Sequence, residues 1–401
     1  MREDGFTIVE MAAAAALTLT IIAIALALVD PLQAAFAAQS EAADMQQRLR
    51  VGAGTLSGGL VVAGAGPSRG LLAGPLGHYF APVLPYRRGT NHDDPPGSFR
   101  TDTITLISVP ATVAQTTLAT VGPGAVSGSV GLNSGAGCPS GDLRCGFKTG
   151  MTVLIFDASG AYDMFSIAGV EENTLQIESA GRNLTRTHYQ ANTSTIVEAT
   201  STVYSLKTDA AAGTYQLVSS DSGGAELPIV DHLVALRFEY FGEPQPPELI
   251  PRAVGGPPRR WVAGTTYGPA PPPLHEQIWN RGFPFGENCT FRVDPVTGLQ
   301  VSRLEVLGAG GATSMLVPLT NAQLTDGPWC PDATNVNRWD ADLLRVRRIV
   351  VTLRIQAANA AMRGPASVLF AHGGTSRNGH RWLPDLQTTF DVTPRNLIFG
   401  R

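Results

Sequence analysis

The chain begins with a long run of apolar residues. No charged side chain occurs in the nineteen positions from Met11 to Val29. A helix rises about 1.5 Å per residue, so a helix of this length is enough to cross a hydrocarbon core about 30 Å thick. The pattern predicts a transmembrane segment over residues 8–29, with membrane lipid as a partner of the chain.

Beyond this segment the apolar residues recur at helical spacing. They are separated by three or four positions, as Met45, Leu49, Ala53, Leu56, Leu60 and Ala63. Charged and amide residues mostly lie off this stripe. We therefore expect one helix over residues 6–63, whose second half is amphipathic and packs on a folded domain. Pro31 is expected to kink or locally melt it, and glycines are expected to fray it between Gly58 and Gly66.

The remaining residues, 64–401, alternate short β-type segments with turns. Residues 64–99 are rich in Gly and Pro and predict a long connection. Alternating or β-branched runs then predict strands at 103–109, 151–156, 164–170, 201–206, 215–219, 233–241, 301–307, 349–355 and 386–392. The expected fold class is α+β, with a long N-terminal helix packed on a mainly antiparallel β domain.

Residues 242–286 form a Pro-rich excursion between two predicted strands. The stretch contains PQPP, GGPP and PAPPP, and it is too long for an ordinary turn. It is either a flexible insertion or a binding loop. We favour an insertion, because Pro-rich composition commonly marks semi-rigid linkers.

Composition agrees with a folded, turn-rich domain. The chain has 44 Gly, 29 Pro and only 15% charged residues. Its hydrophobic content of 43% is too high for a disordered chain. The net charge of −4 argues against a general nucleic-acid partner, and none is expected.

Four cysteines suit two disulfides. The pairs suggested by position are Cys138 with Cys145 and Cys289 with Cys330, although four cysteines allow three connectivities. Disulfides would imply an oxidising compartment such as the periplasm. The alternative is four unpaired thiols, because free Cys is itself often buried. Metal ligation is disfavoured, since the sequence has no Cys-x-x-Cys.

The segment GFTIVE, residues 5–10, stands at the start of the apolar run. A secretory signal peptide is the nearest alternative, but it would need a basic start, a shorter apolar run and a small-x-small cleavage site. The segment resembles the prepilin motif of type IV pilins and of type II secretion pseudopilins. In that family a prepilin peptidase cuts after the Gly and methylates the new N-terminal Phe. The resemblance implies cleavage between Gly5 and Phe6, which removes residues 1–5 as a leader.

The order of the helix, the β-rich middle and the terminal segment TPRNL at 393–397 resembles large PilW-type minor pilins and, less closely, J-type pseudopilins. The resemblance implies a single-pass inner-membrane protein with a cytoplasmic N-terminus and a periplasmic domain, which then enters a filament. Its partners would be other pilin subunits, the prepilin peptidase and the inner-membrane assembly platform. The choice between pilus and secretion pseudopilus, and between tip and shaft, stays open.

Glu10 is the one carboxylate that this arrangement places in the apolar part of the helix. A carboxylate inside a membrane segment costs at least about 2.5 to 3.5 kcal/mol on insertion scales, so we expect it to have a partner. In a filament that partner would be the N-terminal ammonium of Phe6 on a neighbouring subunit. The alternative is that Glu10 extends to the lipid headgroups, as long side chains near helix ends often do.

Two other patterns are weaker evidence for a functional site. Ser68 lies in GPSRG, which matches the G-x-S-x-G turn of hydrolases, but no strand is predicted before it. The loop at 332–342 holds oxygen ligands of the kind that Ca²⁺ takes, at Asp332, Asn335, Asn337, Asp340 and Asp342. Its spacing is not that of an EF-hand, and a solvated polar turn is the favoured interpretation.

The resemblance therefore implies a structural filament subunit that acts in priming or at the tip. A tip adhesin that binds a ligand is the main alternative, and a membrane-tethered hydrolase around Ser68 is a third. No enzymatic activity, cofactor or metal is expected.

Overall fold

The structure is a computed structural model. It describes residues 7–88, 93–121, 127–135, 138–139, 141–178, 189–209, 212–221, 226–250, 264–278, 282–308, 316–331, 337–377 and 382–398, apart from the side chains of residues 28, 30 and 31. The predicted α+β class is confirmed, since one long apolar helix at the N-terminus precedes a mainly antiparallel β region.

The helix, α1, runs from Ile8 to Val62 without interruption and is 55 residues long. At 1.5 Å per residue it measures roughly 80 Å. Pro31 was expected to kink or locally melt the helix. Melting does not occur, since α1 continues through residue 31 and the missing N–H removes only one bond of the ladder. Gly64 follows the helix in the left-handed conformation, with φ of 78°, which is a common way for a helix to end.

Fraying was expected between Gly58 and Gly66. The helix ends at Val62, inside that interval, but it stays regular through Gly58 and Gly59 because packing holds its last turns. A Cβ built on Gly59 would lie 2.8 Å from the hydroxyl oxygen of Tyr204, and one on Gly52 would lie 3.4 Å from Val230. These glycines let the helix approach the sheets closely. The contacts so gained offset the poor helix propensity of Gly.

Nineteen strands occur among the described residues, and every pairing is antiparallel. They are β1 Val83–Leu84, β2 Thr103–Ser108, β3 Gln115–Val121, β4 Ser127–Leu132, β5 Thr152–Phe156, β6 Tyr162–Glu171, β7 Thr174–Glu178, β8 Thr195–Glu198, β9 Thr200–Asp209, β10 Thr214–Ser220, β11 Glu226–Asp231, β12 Leu233–Gly242, β13 Phe291–Val293, β14 Gln300–Ser302, β15 Val317–Leu319, β16 Trp329–Cys330, β17 Trp339–Asp340, β18 Val346–Ile355 and β19 Leu386–Val392. Each predicted strand overlaps an observed one, and only the segment predicted at 301–307 is much shorter.

Two sheets form the body on which α1 packs. One has the order β1-β2-β9-β10-β11 and the other β15-β12-β18-β19. Met45, Leu56 and Leu60 of α1 are buried in one core with residues of both sheets. This core, called here the body core, includes most of the buried apolar side chains among the described residues.

A closed six-stranded barrel, which the sequence did not predict, is inserted in the chain between β2 and β9. Its strand order is β3-β4-β7-β6-β5-β8. The barrel has a separate core, which includes Leu118, Val130, Val153, Ile155, Phe165, Leu175 and Ile196.

Strand β5 joins the barrel to the body, because it is buried on both faces. Val153 and Ile155 belong to the barrel core, whereas Leu154 and Phe156 belong to the body core. The two cores share the strand in this way because successive side chains of a strand point to opposite faces.

Next to β5, the ring of Tyr162 stacks on that of Phe80, with centroids 4.2 Å apart. Phe80 lies in the segment 64–99, which was predicted as a long connection. Its described residues form only a short 3-10 helix, Leu76–His78, and the two-residue strand β1, and much of the segment is buried.

The described parts of the Pro-rich excursion also pack. The buried Tyr267 donates a hydrogen bond from its hydroxyl to the Gln245 carbonyl at 2.6 Å. Residues 251–263 and 279–281 of the excursion lie outside the described residues.

Candidate functional site

The first half of α1 has no apolar covering. Every side chain described between Ile8 and Val29 is exposed, and the exposed fractions reach 88% at Ile8, 65% at Leu17 and 62% at Leu26. Large continuous apolar surfaces are rare on monomeric soluble proteins and mark contacts with other proteins or with membranes. The helix is long and apolar enough to cross a membrane.

The few polar groups of this half bond within the helix itself. The hydroxyls of Thr18 and Thr20 donate to the carbonyls of Ala14 and Ala16, at 2.8 and 2.7 Å. A hydroxyl bonded in this way imposes little cost in hydrocarbon, where water cannot satisfy it. The segment predicted as transmembrane therefore presents an almost wholly apolar surface.

The start of α1 is a capping box formed by Thr7 and Glu10. The Thr7 hydroxyl accepts from the Glu10 amide at 3.3 Å, and the Glu10 carboxylate accepts from the Thr7 amide and hydroxyl at 2.9 Å each. Both partners of the carboxylate are neutral. Sequence reasoning missed the role of Thr7, although T-x-x-E is a recognised signature of a helix start. Gly5 and Phe6 lie outside the described residues.

Polar contacts fix the second half of α1 to the body. Glu41 accepts a hydrogen bond from the Ala358 amide at 2.6 Å and pairs with Arg48 at 3.3 Å. At the other end of this half, the Asn396 side-chain amide donates to the carbonyls of Val62 and Ala63, both at 3.3 Å. The terminal segment noted in the sequence thus holds the end of the helix.

Both suggested cysteine pairs are disulfides. Cys138 joins Cys145 and Cys289 joins Cys330, with Cα–Cα distances of 4.5 and 5.2 Å, and no cysteine is free. The first bridge lies at the barrel core and the second in the body core. Disulfides are typical of domains that fold in an oxidising compartment of the periplasmic kind.

Only part of the polar loop suggested for Ca²⁺ lies among the described residues. Asp332 and Asn335 lie outside the described residues. Asn337 is buried where the barrel meets the body, donates to the Tyr162 carbonyl at 3.0 Å and bonds to the Asp163 carboxylate and the Arg88 guanidinium. Asn337 therefore joins two parts of the fold and is not part of a solvated turn.

Asp340 and Asp342 are buried beside Asp326, and their carboxylate oxygens lie within 4.8 Å of one another. Burial raises the pKa of Asp340 to about 7, against the effect of hydrogen bonds from the amides of Asp342 and Gly327. Asp342 forms an ion pair with Arg345. Asp340 and Asp342 therefore have partners within the protein.

Ser68 is exposed in a bend shortly after α1 ends. The segment before it is a helix end, whereas the hydrolase turn places its serine between a strand and a helix.

The chain matches no family model, no curated protein and no solved structure.

Proposed function

We propose that the chain is a filament subunit of the type IV pilin kind, a minor pilin or pseudopilin. The observation that carries the proposal is the division of α1. Residues from Ile8 to Val29 are apolar except for Glu10 and two threonines, and their described side chains are exposed, whereas Met45, Leu56 and Leu60 are built into the β domain. Such a helix sits first in lipid and then, in a filament, against the same half of neighbouring helices.

Glu10 separates this proposal from a simple membrane anchor. In a simple anchor the Glu10 carboxylate would serve only the capping box, while its charge costs at least about 2.5 to 3.5 kcal/mol on insertion scales. In the capping box Glu10 is held by neutral groups of Thr7. In a filament the ammonium of Phe6 on a neighbour would replace them with an opposite charge. A subunit out of register would leave both charges unpaired, so the pair would select the register of assembly.

The contacts of α1 with the body suit a subunit that must keep a fixed shape. Glu41 and Asn396 tie the helix to the β domain near both ends of its embedded half. The uncovered half then projects from the domain as a stem that neighbours can surround. The two disulfides suit a β domain on the periplasmic side of the membrane.

The N-terminus of the mature protein tests processing. We expect mass spectrometry of protein from the native host to find N-methylated Phe6, produced by cleavage after Gly5. A Gly5→Ala variant serves as the matched control and should keep its full leader. A chain that begins at Met1, or after Val29, would contradict the proposal.

A further inference from the structure

A small polar recess lies between the barrel and the loop that follows α1. It is lined by Arg69, Gly70, Leu71, Gln115, Thr116, Thr117 and Thr195. Its enclosed part has room for about one water-sized group, such as a single carboxylate oxygen, and the rest of the recess opens to solvent.

The strand register explains why polar side chains gather there. Thr117 of β3 and Thr195 of β8 stand directly opposite each other, and Gln115 lies on the same face of β3 because side chains alternate along a strand. Their chain neighbours Leu118 and Ile196 belong to the barrel core. The three polar side chains consequently face outward, toward the loop that carries Arg69.

These three side chains are buried with hydrogen-bonding capacity left over. Gln115, Thr117 and Thr195 are only 3%, 6% and 3% exposed. The Gln115 side-chain nitrogen and both threonine hydroxyls have no hydrogen-bond partner among the described residues. A buried polar group without a partner costs about 1 to 3 kcal/mol, and such groups in native proteins usually mark a bound molecule or water. Three of them in one recess indicate a site that a ligand completes.

The chemistry of the lining selects the ligand. The Gln115 nitrogen has two hydrogens to donate, and each threonine hydroxyl has one. Arg69 is exposed at the recess and adds a positive charge, while Leu71 provides an apolar surface. A carboxylate accepts about four hydrogen bonds and pairs well with a guanidinium.

We propose that this recess binds the carboxylate of a small free organic acid. One carboxylate oxygen is bound by Gln115, Thr117 and Thr195, and the other faces Arg69. The organic part of the acid lies against Leu71. The site is independent of the proposed role of α1, because none of its lining residues belongs to the helix.

The test uses the full chain in detergent with ¹³C-labelled threonine methyl groups, assigned through Thr117→Val and Thr195→Val. Sodium acetate is titrated at constant pH and ionic strength, with acetamide as the neutral molecule of the same shape and inorganic phosphate as the competing anion. We expect the methyl signals of Thr117 and Thr195 to shift saturably with acetate, and to shift much less with acetamide or phosphate.

Arg69→Gln should raise the dissociation constant for acetate about tenfold or more, because hydrogen bonds to charged groups are the strong ones. Arg237→Gln is the matched control, since Arg237 is also exposed but does not line the recess. Either threonine-to-valine variant should likewise weaken binding, as read from the remaining methyl signal. Equal shifts with acetamide, tighter binding of phosphate, or no saturable shift at all would overturn the proposal and leave a recess that water fills.

Discussion

The leucines in the two halves of α1 have opposite surroundings. Leu17 and Leu26 are 65% and 62% exposed, whereas Leu56 and Leu60 are fully buried. The apolar face of the amphipathic second half is covered by the two sheets of its own chain. The first half has no covering in its own chain among the described residues, so its burial must come from lipid or from other subunits. A single helix thus divides into a part that stabilises the fold and a part whose apolar surface is left for contacts outside the described fold.

The largest expected effect comes from a leucine in each half. Leu56→Ala removes a fully buried side chain from the body core and should lower the free energy of unfolding of the β domain by about 2 to 5 kcal/mol. Leu19→Ala is the control, since Leu19 is 67% exposed on the same helix. It should leave that free energy unchanged when both are measured by urea unfolding in detergent. Equal losses for the two variants would show that the halves do not differ as described.

The two disulfides lie in different cores, one in the body core and one at the barrel core, so their removal should affect α1 differently. Cys289→Ala with Cys330→Ala opens a bridge of 41 residues, and Cys138→Ala with Cys145→Ala opens one of 7. On the chain-entropy model the losses of unfolding free energy should be about 3 to 4 and about 2 to 3 kcal/mol. Only the first pair lies in the core that holds α1. Proteolysis at the embedded half of the helix should therefore increase for the first double variant alone, and an equal increase in both would contradict this assignment.

Neighbouring glycines offer the finest test of how α1 packs. A Cβ on Gly59 would meet the ring of Tyr204, whereas one on Gly58 would meet nothing within 4 Å. Gly58→Ala should stabilise the protein by up to about 1 kcal/mol through helix propensity alone. Gly59→Ala should destabilise it by about 1 to 3 kcal/mol through overpacking. Thermal unfolding should separate the two variants in opposite directions, and stabilisation by both would mean that the helix lies further from β9.

The long helix was predictable because its signals are local. The uncharged run from Met11 to Val29 and the spacing from Met45 to Ala63 both follow from helix geometry. Thr7 with Glu10 carries a capping signature that was available and was missed. Pro31 was given too much weight, because a long helix with many other hydrogen bonds tolerates the loss of one.

The barrel was not predictable in the same way. The pairings that close it, β3 with β8, β4 with β7 and β5 with β8, join strands that are not consecutive, and some of its strands are weakly patterned. β4 has the sequence SGSVGL and pairs with β7, whose residue Glu178 stands opposite Ser127. Gly and Ser are depleted in strands, so this segment has little strand signal. Asn337 was not predictable for the same reason. It lies in a polar stretch of the sequence, but its buried contact with Asp163 joins residues far apart in the chain. The recess beside Arg69 needs the register of β3 and β8, which no local pattern in the sequence encodes.

Glu10 provides the most direct test of the account, because the proposed charge pair and the observed capping box can be separated. Glu10→Gln keeps an oxygen that accepts from the Thr7 amide, since Gln also serves in a capping box, but it removes the charge. Thr7→Ala does the reverse, as it removes the hydroxyl and leaves the carboxylate. Glu10→Ala removes both functions of the side chain.

The measurement is the amount of each variant in sheared, purified filaments, relative to processed protein in the inner membrane. We expect Glu10→Gln and Glu10→Ala to be cleaved and inserted normally but to be nearly absent from filaments. Leaving one member of a buried ion pair without its partner costs about 3 to 5 kcal/mol. Thr7→Ala should enter filaments at close to the wild-type level. Wild-type amounts of Glu10→Gln in filaments would contradict the account, and the chain would then be a membrane-anchored β domain without a charge-paired assembly contact.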